Sequence, residues 1–167
     1  MIYFKAATVD DLPVIRDLAY TIWPHAYRSI LSQDQLDYML ELIYALPALQ
    51  QQMLSLKHQF TLVLNDGLII GFASFSAKGT TPTTYHLHKI YLSPELQGTG
   101  NGKLLLQHVI NSAKAAGAVS LELNVNRNNK ARDFYEKQGF SIIREEDIDI
   151  GHGYFMNDFV MSLPLNK

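Results

Sequence analysis

The stretch from Leu87 to Gly117 decides the fold, and it reads LHKIYLSPELQGTGNGKLLLQHVINSAKAAG. An apolar segment of strand length, 86–92, leads through Ser93-Pro94 into glycines at positions 98, 100 and 102. Behind the glycines, apolar residues recur with the 3.6-residue period of a buried helix face. The members of this stripe are Leu105, Val109, Ala113 and Ala116, with Leu106 and Ile110 beside them. The stretch therefore predicts a strand, a glycine loop and a helix that Gly117 ends.

The glycine loop is the candidate binding element of this stretch. The first N–H groups of an α-helix have no partner inside the helix, and the helix dipole places partial positive charge beside them. Glycines keep side chains away from this end, so that an anion can meet the N–H groups directly. The stretch therefore predicts a phosphate site.

Two common phosphate-binding loops do not match these glycines. A nucleotide P-loop needs Gly-Lys followed by Ser or Thr, whereas Leu104 follows Gly102-Lys103. A dinucleotide-binding loop needs a third glycine where Lys103 stands. The pattern that remains is Gln97-x-x-Gly100-x-Gly102.

Composition favours one globular domain of ordinary charge. The chain has 167 residues, 47% of them apolar, and residues 1–167 are predicted to form a single domain with a full core. A formal net charge of −2 without a basic tract argues against nucleic acid and membrane surfaces as partners. The chain shows neither a signal-peptide core nor an apolar run of membrane-spanning length, so a cytoplasmic protein is expected.

Metal and thiol chemistry are not expected. The absence of cysteine excludes a disulfide framework, a thiolate zinc site and a cysteine nucleophile. The six histidines show neither His-x-x-x-His nor His-Glu-x-x-His spacing, so no catalytic metal is predicted.

Before the central stretch, the pattern predicts a strand, two helices and a hairpin. Residues 2–7 form the strand, and a helix opens near Leu12-Pro13. The segment 23–27, Trp-Pro-His-Ala-Tyr, is predicted to interrupt that helix because proline removes a hydrogen-bond donor. The second helix starts at the capping box Ser32-x-x-Gln35 and is predicted to break at Pro47, before residues 49–56.

The hairpin and a polar loop connect these helices to the central strand. Asp66-Gly67 supplies the positive φ angles of a tight turn between strands at 60–64 and 68–75. The polar loop covers 78–83, and the central strand starts near Thr84.

After Gly117 the pattern predicts a strand, a short helix and a final hairpin. The strand 119–125 alternates with period two, and its apolar residues are Val119, Leu121, Leu123 and Val125. The helix stops at Gly139, and its predicted buried residues are Ala131, Phe134, Tyr135 and Gln138. Strands at 140–150 and 154–163 flank the turn Gly151-His152-Gly153.

The resulting order is β-α-α-β-β-β-α-β-α-β-β, which is an α/β (α+β) chain. Strand, helix and strand follow one another in the central region, so strands 87–92 and 119–125 are predicted to be parallel within a mostly antiparallel mixed sheet.

Two motifs in this frame resemble those of the GNAT N-acetyltransferases. Gln97-x-x-Gly100-x-Gly102 is similar to the family's pyrophosphate signature Arg/Gln-x-x-Gly-x-Gly/Ala. Residues 128–140, NNKARDFYEKQGF, resemble its Asn-x-x-Ala-x-x-Phe/Leu-Tyr-Glu-x-x-Gly-Phe segment. The resemblance, which extends to the element order, implies the GNAT acyltransferase fold with about seven strands and about four helices, and acetyl-CoA as cofactor. The motif at 87–91 is similar to that of a bacterial branch that includes spermidine/spermine acetyltransferases.

The resemblance also implies where the cofactor binds. Backbone groups of Ile90, Tyr91 and Leu92 would hydrogen-bond the pantetheine arm and polarise the thioester carbonyl. The diphosphate would lie on the glycine loop, whose residues are Gln97, Gly98, Thr99, Gly100, Asn101, Gly102 and Lys103. Asn128 would contact the cofactor, and Tyr135 would stand near the thioester sulfur as general acid. From the residues alone, Tyr135 is also readable as a core tyrosine and Asn128 as a helix N-cap.

The general base is left open between His86 and His88, which lie on one face of the central strand. Imidazole titrates near neutral pH, which suits the removal of a proton from an amine. His86 occupies the position of the glutamate base in the family's histone acetyltransferases, whereas the motif at 87–91 points to His88. The alternative is that these histidines only hydrogen-bond in the sheet or to substrate.

Aromatic and acidic residues fall where the family builds its acceptor pocket. They are Trp23, His25, Tyr27 and Tyr38 on the helical connection and Tyr154, Asn157 and Asp158 in the last hairpin. With Asp158 or Glu41 they can hold a polyamine or another primary amine by charge and cation–π contact. The alternative is that the aromatic residues are core and that the acidic run 145–149 is a solvated strand edge.

The sequence thus predicts an N-acetyltransferase that transfers the acetyl group of acetyl-CoA to a small-molecule primary amine, directly and in a ternary complex. Protein N-termini or lysines form a second acceptor class. A CoA-binding regulatory module without turnover and an ATP- or NAD-binding protein are the alternatives from other functional classes. A homodimer is suggested only by analogy with the family that the sequence resembles.

Overall fold

The computed structural model describes residues 1–80 and 83–165. Over these residues the chain forms the strands β1 (Ile2–Ala6), β2 (Gln59–Asn65), β3 (Leu68–Ala77), β4 (Thr84–Leu92), β5 (Ser120–Asn126), β6 (Ser141–Gly151) and β7 (Tyr154–Pro164). Its α-helices are α1 (Leu12–Tyr27), α2 (Gln33–Tyr44), α3 (Leu46–Gln50), α4 (Asn101–Ala115) and α5 (Ala131–Lys137). The predicted order is confirmed, with α3 as an additional helix. Thr81 and Pro82 of the predicted polar loop lie outside the described residues.

The chain divides into two compact units. Unit 1 comprises Met1–Ser76 and Lys89–Val109, and unit 2 comprises Ala77–His88 and Ile110–Lys167. Strand β4 therefore contributes its first five residues to unit 2 and its last four to unit 1.

In unit 1, hydrogen-bonded neighbours follow the order β1-β2-β3-β4. The pairs β1–β2 and β2–β3 are antiparallel. The predicted turn of the β2–β3 hairpin is confirmed, since Asp66 and Gly67 have φ angles of 51° and 84°. The fully buried core of this unit includes Leu12 and Ile15 of α1, Leu36 of α2, Leu62 of β2 and Phe72 of β3.

Two helix boundaries of unit 1 differ from prediction. The segment 23–27 does not interrupt α1, which continues through Pro24 to Tyr27, and the N–H of Arg28 donates to the Pro24 carbonyl at 3.0 Å. The indole N–H of Trp23 donates to the Tyr44 hydroxyl at 3.3 Å, and this buried contact stabilises the turn that contains the proline. The break after α2 falls at Ala45, where ψ is 142°, and Pro47 lies in the first turn of α3.

Helix α4 has the predicted buried stripe except at its end. Leu105, Leu106, Val109 and Ala113 are at most 1% exposed. Ala116 was predicted to be buried, but α4 ends at Ala115 and Ala116 is exposed. The stop is Gly117, with φ at 99°.

In unit 2, hydrogen-bonded neighbours follow the order β4-β5-β7-β6. The predicted parallel pair is confirmed, and it joins Thr84–Leu87 to Ser120–Leu123. The pairs β5–β7 and β6–β7 are antiparallel. The predicted strand is confirmed from Ser120 onward, whereas Val119 precedes β5 and is 48% exposed.

Helix α5 buries less than its pattern predicted. Tyr135 is buried, whereas Ala131, Phe134 and Gln138 are only half-buried. A helix of seven residues makes about two turns, so a single position can lie at the centre of its buried face.

Candidate functional site

The glycine loop of unit 1 has the backbone that its sequence predicts. Gly98 and Gly100 have φ angles of 79° and 86°, in the left-handed region that favours glycine. A Cβ atom on either would meet no described atom within 4 Å. Glycine is therefore required here by backbone conformation, and the space beside the loop is open to a ligand.

The N-terminus of α4 offers its amide hydrogens at the end of this loop. The first bond from the helix back to the loop runs from the Leu104 N–H to the Gly100 carbonyl at 3.2 Å. The N–H groups of Asn101, Gly102 and Lys103 precede that bond and have no intrahelical acceptor. They lie at the positive end of the helix dipole, and Lys103 adds an exposed positive charge. This donor set fits a diphosphate.

Strand β4, which precedes the glycine loop, is held by contacts with α1 and β3. The Tyr91 and Tyr27 hydroxyls are hydrogen-bonded at 2.8 Å. A Cβ on Gly71 of β3 would lie 2.5 Å from the Tyr91 carbonyl oxygen, so only glycine permits this close approach. The Ser93 N–H donates to the Ile70 carbonyl at 2.8 Å. The backbone from Ile90 to Leu92 is therefore held in place within unit 1.

The aromatic residues predicted for the acceptor pocket have different surroundings. Trp23 is only 4% exposed, and its ring centroid lies 4.6 Å from that of Tyr27 and 5.9 Å from that of Tyr91. Tyr27 and Tyr38 are half-buried, whereas His25 is exposed. Trp23 is thus a core residue of unit 1. The roles of Trp23 and Tyr27 in acceptor binding stay predictions.

Glu41 borders a surface cavity between α1 and α2. The cavity has a volume of about 620 Å³, and Arg16, Asp17 and Tyr20 also line it. The Tyr20 hydroxyl donates to the Glu41 carboxylate at 3.3 Å. Burial and the nearby Glu41 charge raise the pKa of Tyr20, so its phenol stays protonated at neutral pH. Glu41 is therefore an exposed acid that already accepts a hydrogen bond.

In unit 2, the two candidate bases are neighbours on β4. The ring centroids of His86 and His88 are 4.9 Å apart. His86 is half-buried and lies opposite Glu122 in the parallel register. Burial lowers the pKa of His86 below 6.5, Lys78 and Arg144 also lower it, and Glu122 and Glu146 partly oppose them. At neutral pH His86 is therefore neutral, as a general base must be.

Sequence reasoning did not single out the charged residues around His86. The Lys78 ammonium lies 2.6 Å from the Glu122 carboxylate, and Arg144 lies 3.8 Å from it. Because strand side chains alternate, Glu122 lies on the face of β5 opposite to Leu121 and Leu123. This alternation in the sequence could have identified Glu122 as a residue outside the core.

The motif on α5 places Tyr135 in a buried position. Tyr135 is 9% exposed, and its ring meets those of Phe134 and Phe140 edge-on at 5.5 Å and 5.8 Å. Lys130 is the N-cap residue of α5 and makes no side-chain cap hydrogen bond, while the Asn129 side-chain oxygen accepts from the Ala131 N–H at 2.9 Å. Asn128 is exposed, and its backbone N–H donates to Asn126 at 2.9 Å. Asn128 is therefore not the N-cap of α5.

The last hairpin buries one of the predicted acceptor residues. Asp158 is 4% exposed and accepts a hydrogen bond from the Asn124 amide at 3.2 Å. Burial raises the pKa of Asp158, and the Glu146 charge adds to this while Asn124 opposes it. Tyr154 is half-buried at the first position of β7. The hairpin therefore has a buried acid at its centre.

The acidic run is an exposed face of β6. Glu145, Asp147 and Asp149 are exposed, and Arg127 forms ion pairs with Glu145 and Asp147. This arrangement agrees with the solvated strand edge that was the alternative to acceptor binding.

Residues 1–80 and 83–165 contain no group of three or more His, Asp or Glu side chains that is arranged to hold a metal ion. Among the helices that the structure describes, none is both long and apolar enough to cross a membrane.

Comparison with known proteins identifies relatives of the chain. An uncharacterised N-acetyltransferase of Mycobacterium bovis is 36% identical over 98 residues, which are 58% of this chain and 61% of that protein. A ribosomal protein bS18 alanine N-acetyltransferase of Haemophilus influenzae is 36% identical over 93 residues, which are 56% of this chain and 58% of that protein. The chain thus spans about three fifths of the length of the curated relatives it matches.

A solved structure is similar over almost the whole chain. The PaiA N-acetyltransferase of Thermoplasma acidophilum, in complex with coenzyme A, matches 98% of this chain and 99% of that one, with a TM-score of 0.81 and 25% identity. None of these three names mentions a polyamine, so the similarity to the spermidine/spermine branch stays a prediction. The family model of the acetyltransferase (GNAT) domain matches residues 29–154, which is well over half of the sequence. The chain therefore belongs to the GNAT family and has the GNAT fold.

Proposed function

We propose that this chain is an acetyl-CoA-dependent N-acetyltransferase whose acceptor is a primary amine. The observation that carries the proposal is the glycine loop, where Gly98 and Gly100 in left-handed conformation lead to the amide hydrogens of the first turn of α4. These amides suit the diphosphate of coenzyme A. The coenzyme A complex of the Thermoplasma relative supports the same ligand here.

The proposed chemistry assigns each step to residues of this chain. Bound acetyl-CoA would supply an acetyl group activated as a thioester. Backbone groups from Ile90 to Leu92 position the carrier and polarise its carbonyl. His88, or His86 as the alternative, removes one proton from the acceptor ammonium, Tyr135 donates a proton to the departing sulfur, and the second proton that the nitrogen loses restores the phenol. One C–N bond forms and one C–S bond breaks, without a covalent enzyme intermediate.

The proposed acceptor is a small molecule with a primary amine, of which a polyamine is one example. Asp158 is the proposed counter-charge for its ammonium group, and Tyr154 is the proposed aromatic neighbour. Acceptors that are protein N-termini or lysines form the second candidate. The bS18 alanine acetyltransferase of Haemophilus influenzae favours that class, because its name specifies a protein acceptor.

Thiol release separates these acceptor classes. Purified protein is given acetyl-CoA with free polyamines, other amines, or peptides that carry a free N-terminus or a lysine. Steady release with free amines supports the first class, and release with peptides alone supports the second. If the protein binds acetyl-CoA but releases no thiol with any acceptor, the regulatory module replaces the enzyme.

Thermal shift tests the cofactor independently of the acceptor. A ligand at 100 times its dissociation constant stabilises the folded state by about 2.7 kcal/mol. We expect this shift with acetyl-CoA and not with ATP or NAD. A shift with ATP or NAD alone would overturn the proposed function.

A further inference from the structure

Strand β4 carries a lysine whose side chain is almost completely buried. Lys89 is 6% exposed, and its ammonium nitrogen donates to the side-chain oxygen of Gln52 at 2.6 Å. The same nitrogen lies 5.6 Å from the ring centroid of Tyr44 and 5.5 Å from that of Phe60. All three contacts are electron-rich, and a lysine ammonium has three donors and no acceptor. The surroundings therefore complement the protonated amine.

Gln52 is aimed at Lys89 by an unusual helical turn. Residues Gln51–Ser55 form a π-helical turn, a rare structure that is frequent at functional sites. The Gln52 amide nitrogen donates to the Ile43 carbonyl at 3.0 Å, in the last turn of α2, where carbonyls lack intrahelical donors. Because the NH₂ group is committed to Ile43, the oxygen faces Lys89. Two hydrogen bonds thus link β4 to the end of α2.

Lys89 directly precedes the backbone that the proposed function assigns to pantetheine. Side chains alternate along a strand, so Lys89 and Tyr91 lie on the same face of β4. Tyr91 is held by the Tyr27 hydroxyl, as described above. The segment Ile90–Leu92 is therefore fastened by side chains at 89 and 91, and of these two only the lysine carries a charge.

The charge on Lys89 is costly to keep. Burial lowers the pKa of Lys89 from 10.5 to about 7. Among its described contacts, α2 brings the titratable Tyr44, whose own burial raises its pKa well above the usual value, while Gln52 and Phe60 do not titrate. His86 and His88 lie on the other face of β4. An apolar side chain of similar shape would avoid this cost, so a lysine here indicates a function other than stability.

We propose that Lys89 is a positioning residue for acetyl transfer, whose protonated amine fixes the cofactor-binding segment of β4 through Gln52, Tyr44 and Phe60. The inference rests on the proposed function, because that function assigns the pantetheine arm to Ile90–Leu92. Loss of the proton removes the cation–π attraction and weakens the link to α2. Coenzyme A should therefore bind less tightly as the pH rises through neutrality.

Calorimetric titration of the full chain with coenzyme A at about pH 6 and about pH 8 tests the proposal. If only the protonated form binds, the dissociation constant of the wild type rises by up to about tenfold between these values. Lys89→Met has a side chain of similar shape without the charge. The dependence of its coenzyme A dissociation constant on pH therefore shows only the ionisation of the ligand and of other groups. Gln52→Glu places a carboxylate beside the amine, and we expect it to move the wild-type rise to higher pH.

Two readouts keep the proposal falsifiable even where Lys89→Met does not fold. Lysine side-chain NMR of the free protein follows the Lys89 titration directly, and a transition near the usual lysine value would overturn the inference. An unchanged binding profile in Gln52→Glu, or a wild-type profile in a folded Lys89→Met, would overturn it as well. Those results leave the proposed function intact. A wild type that binds no coenzyme A at either pH would overturn the proposed function and, with it, this inference.

Discussion

Tyr135 is the residue on which the proposed general acid depends. The change Tyr135→Phe removes only the hydroxyl, because the ring packing against Phe134 and Phe140 can persist. A positioned proton donor contributes about 10²-fold or more to a rate, so we expect turnover to fall by about that factor. The dissociation constant for coenzyme A should stay the same. Steady-state thiol release and calorimetry measure the two quantities.

Tyr3→Phe provides the matched control for this variant. Tyr3 is 45% exposed on β1, and its loss of a hydroxyl should affect neither turnover nor binding. An unchanged turnover number in Tyr135→Phe would remove the general-acid assignment and leave Tyr135 as a core tyrosine.

Lys89 should give the folded state a characteristic pH dependence. Its pKa is about 7 when folded and 10.5 when unfolded, so the unfolded chain binds more protons between these values. The free energy of unfolding therefore rises with pH in this window, by about 1.4 kcal/mol per pH unit, and the gain is lost as pH falls through 7. Urea unfolding at about pH 7 and about pH 9 should show a difference of roughly 2 to 3 kcal/mol.

The variant Lys89→Met tests whether Lys89 causes this change of the free energy of unfolding with pH. It lacks the buried charge, so its stability should change less between the two pH values and should exceed that of the wild type at the lower one. Equal slopes in both proteins would show that another group is responsible.

His86 and His88 of β4 lead to different expected results if one or the other is the general base. We expect His88→Ala to lower turnover more than His86→Ala. The pKa of His86 is lowered by burial, so a base at His86 would place the acidic limb of the pH–rate profile below 6.5. Profiles of wild type and both variants measure this. Loss of that acidic limb in His86→Ala alone would reverse the order and make His86 the base.

At the scale of the element, the glycine loop and the β2–β3 turn allow a matched comparison. Gly100 and Gly67 have φ angles of 86° and 84°, and a Cβ on either meets no described atom within 4 Å. Alanine at either position should cost about 1 to 2 kcal/mol of stability from the backbone alone. Only Gly100→Ala should also weaken binding of acetyl-CoA, because only that loop is proposed to present amides to the diphosphate. If both variants bind acetyl-CoA with equal affinity, the glycine loop does not contribute to acetyl-CoA binding.

The elements that the sequence predicts well are those whose signals are local. The Ser32 cap is an example, since its hydroxyl accepts from the Gln35 N–H at 3.1 Å, three residues away. The Asp66-Gly67 turn and the stripe of α4 likewise depend on neighbours in sequence. The continuation of α1 through Pro24 was missed because it depends on Trp23 and Tyr44, which are 21 residues apart.

The candidate site also has parts that the sequence predicts from local signals and parts that depend on residues distant in sequence. The glycine loop and the Tyr135 helix are contiguous motifs, and the structure has the predicted loop and helix, although of the residues predicted to be buried on α5 only Tyr135 is buried. Lys89 gave no signal, because its partner Gln52 is 37 residues away and is aimed by a π-helical turn that no periodicity predicts. The sequence left open whether Trp23 is a core residue, and it gave no sign that Asp158 is buried, since burial depends on which elements cover a residue.

At the scale of the whole molecule, the prediction of one domain over residues 1–167 can be tested by unfolding. Trp23, the single tryptophan, lies in unit 1, so its fluorescence reports on that unit, whereas far-UV circular dichroism reports on both. Strand β4 belongs to both units, so unfolding of either would leave part of this strand without its hydrogen-bonded neighbours. We therefore expect both signals to follow the same single transition in urea. Fluorescence and circular dichroism with separate midpoints would contradict the prediction, and the chain would then have two independently folding units.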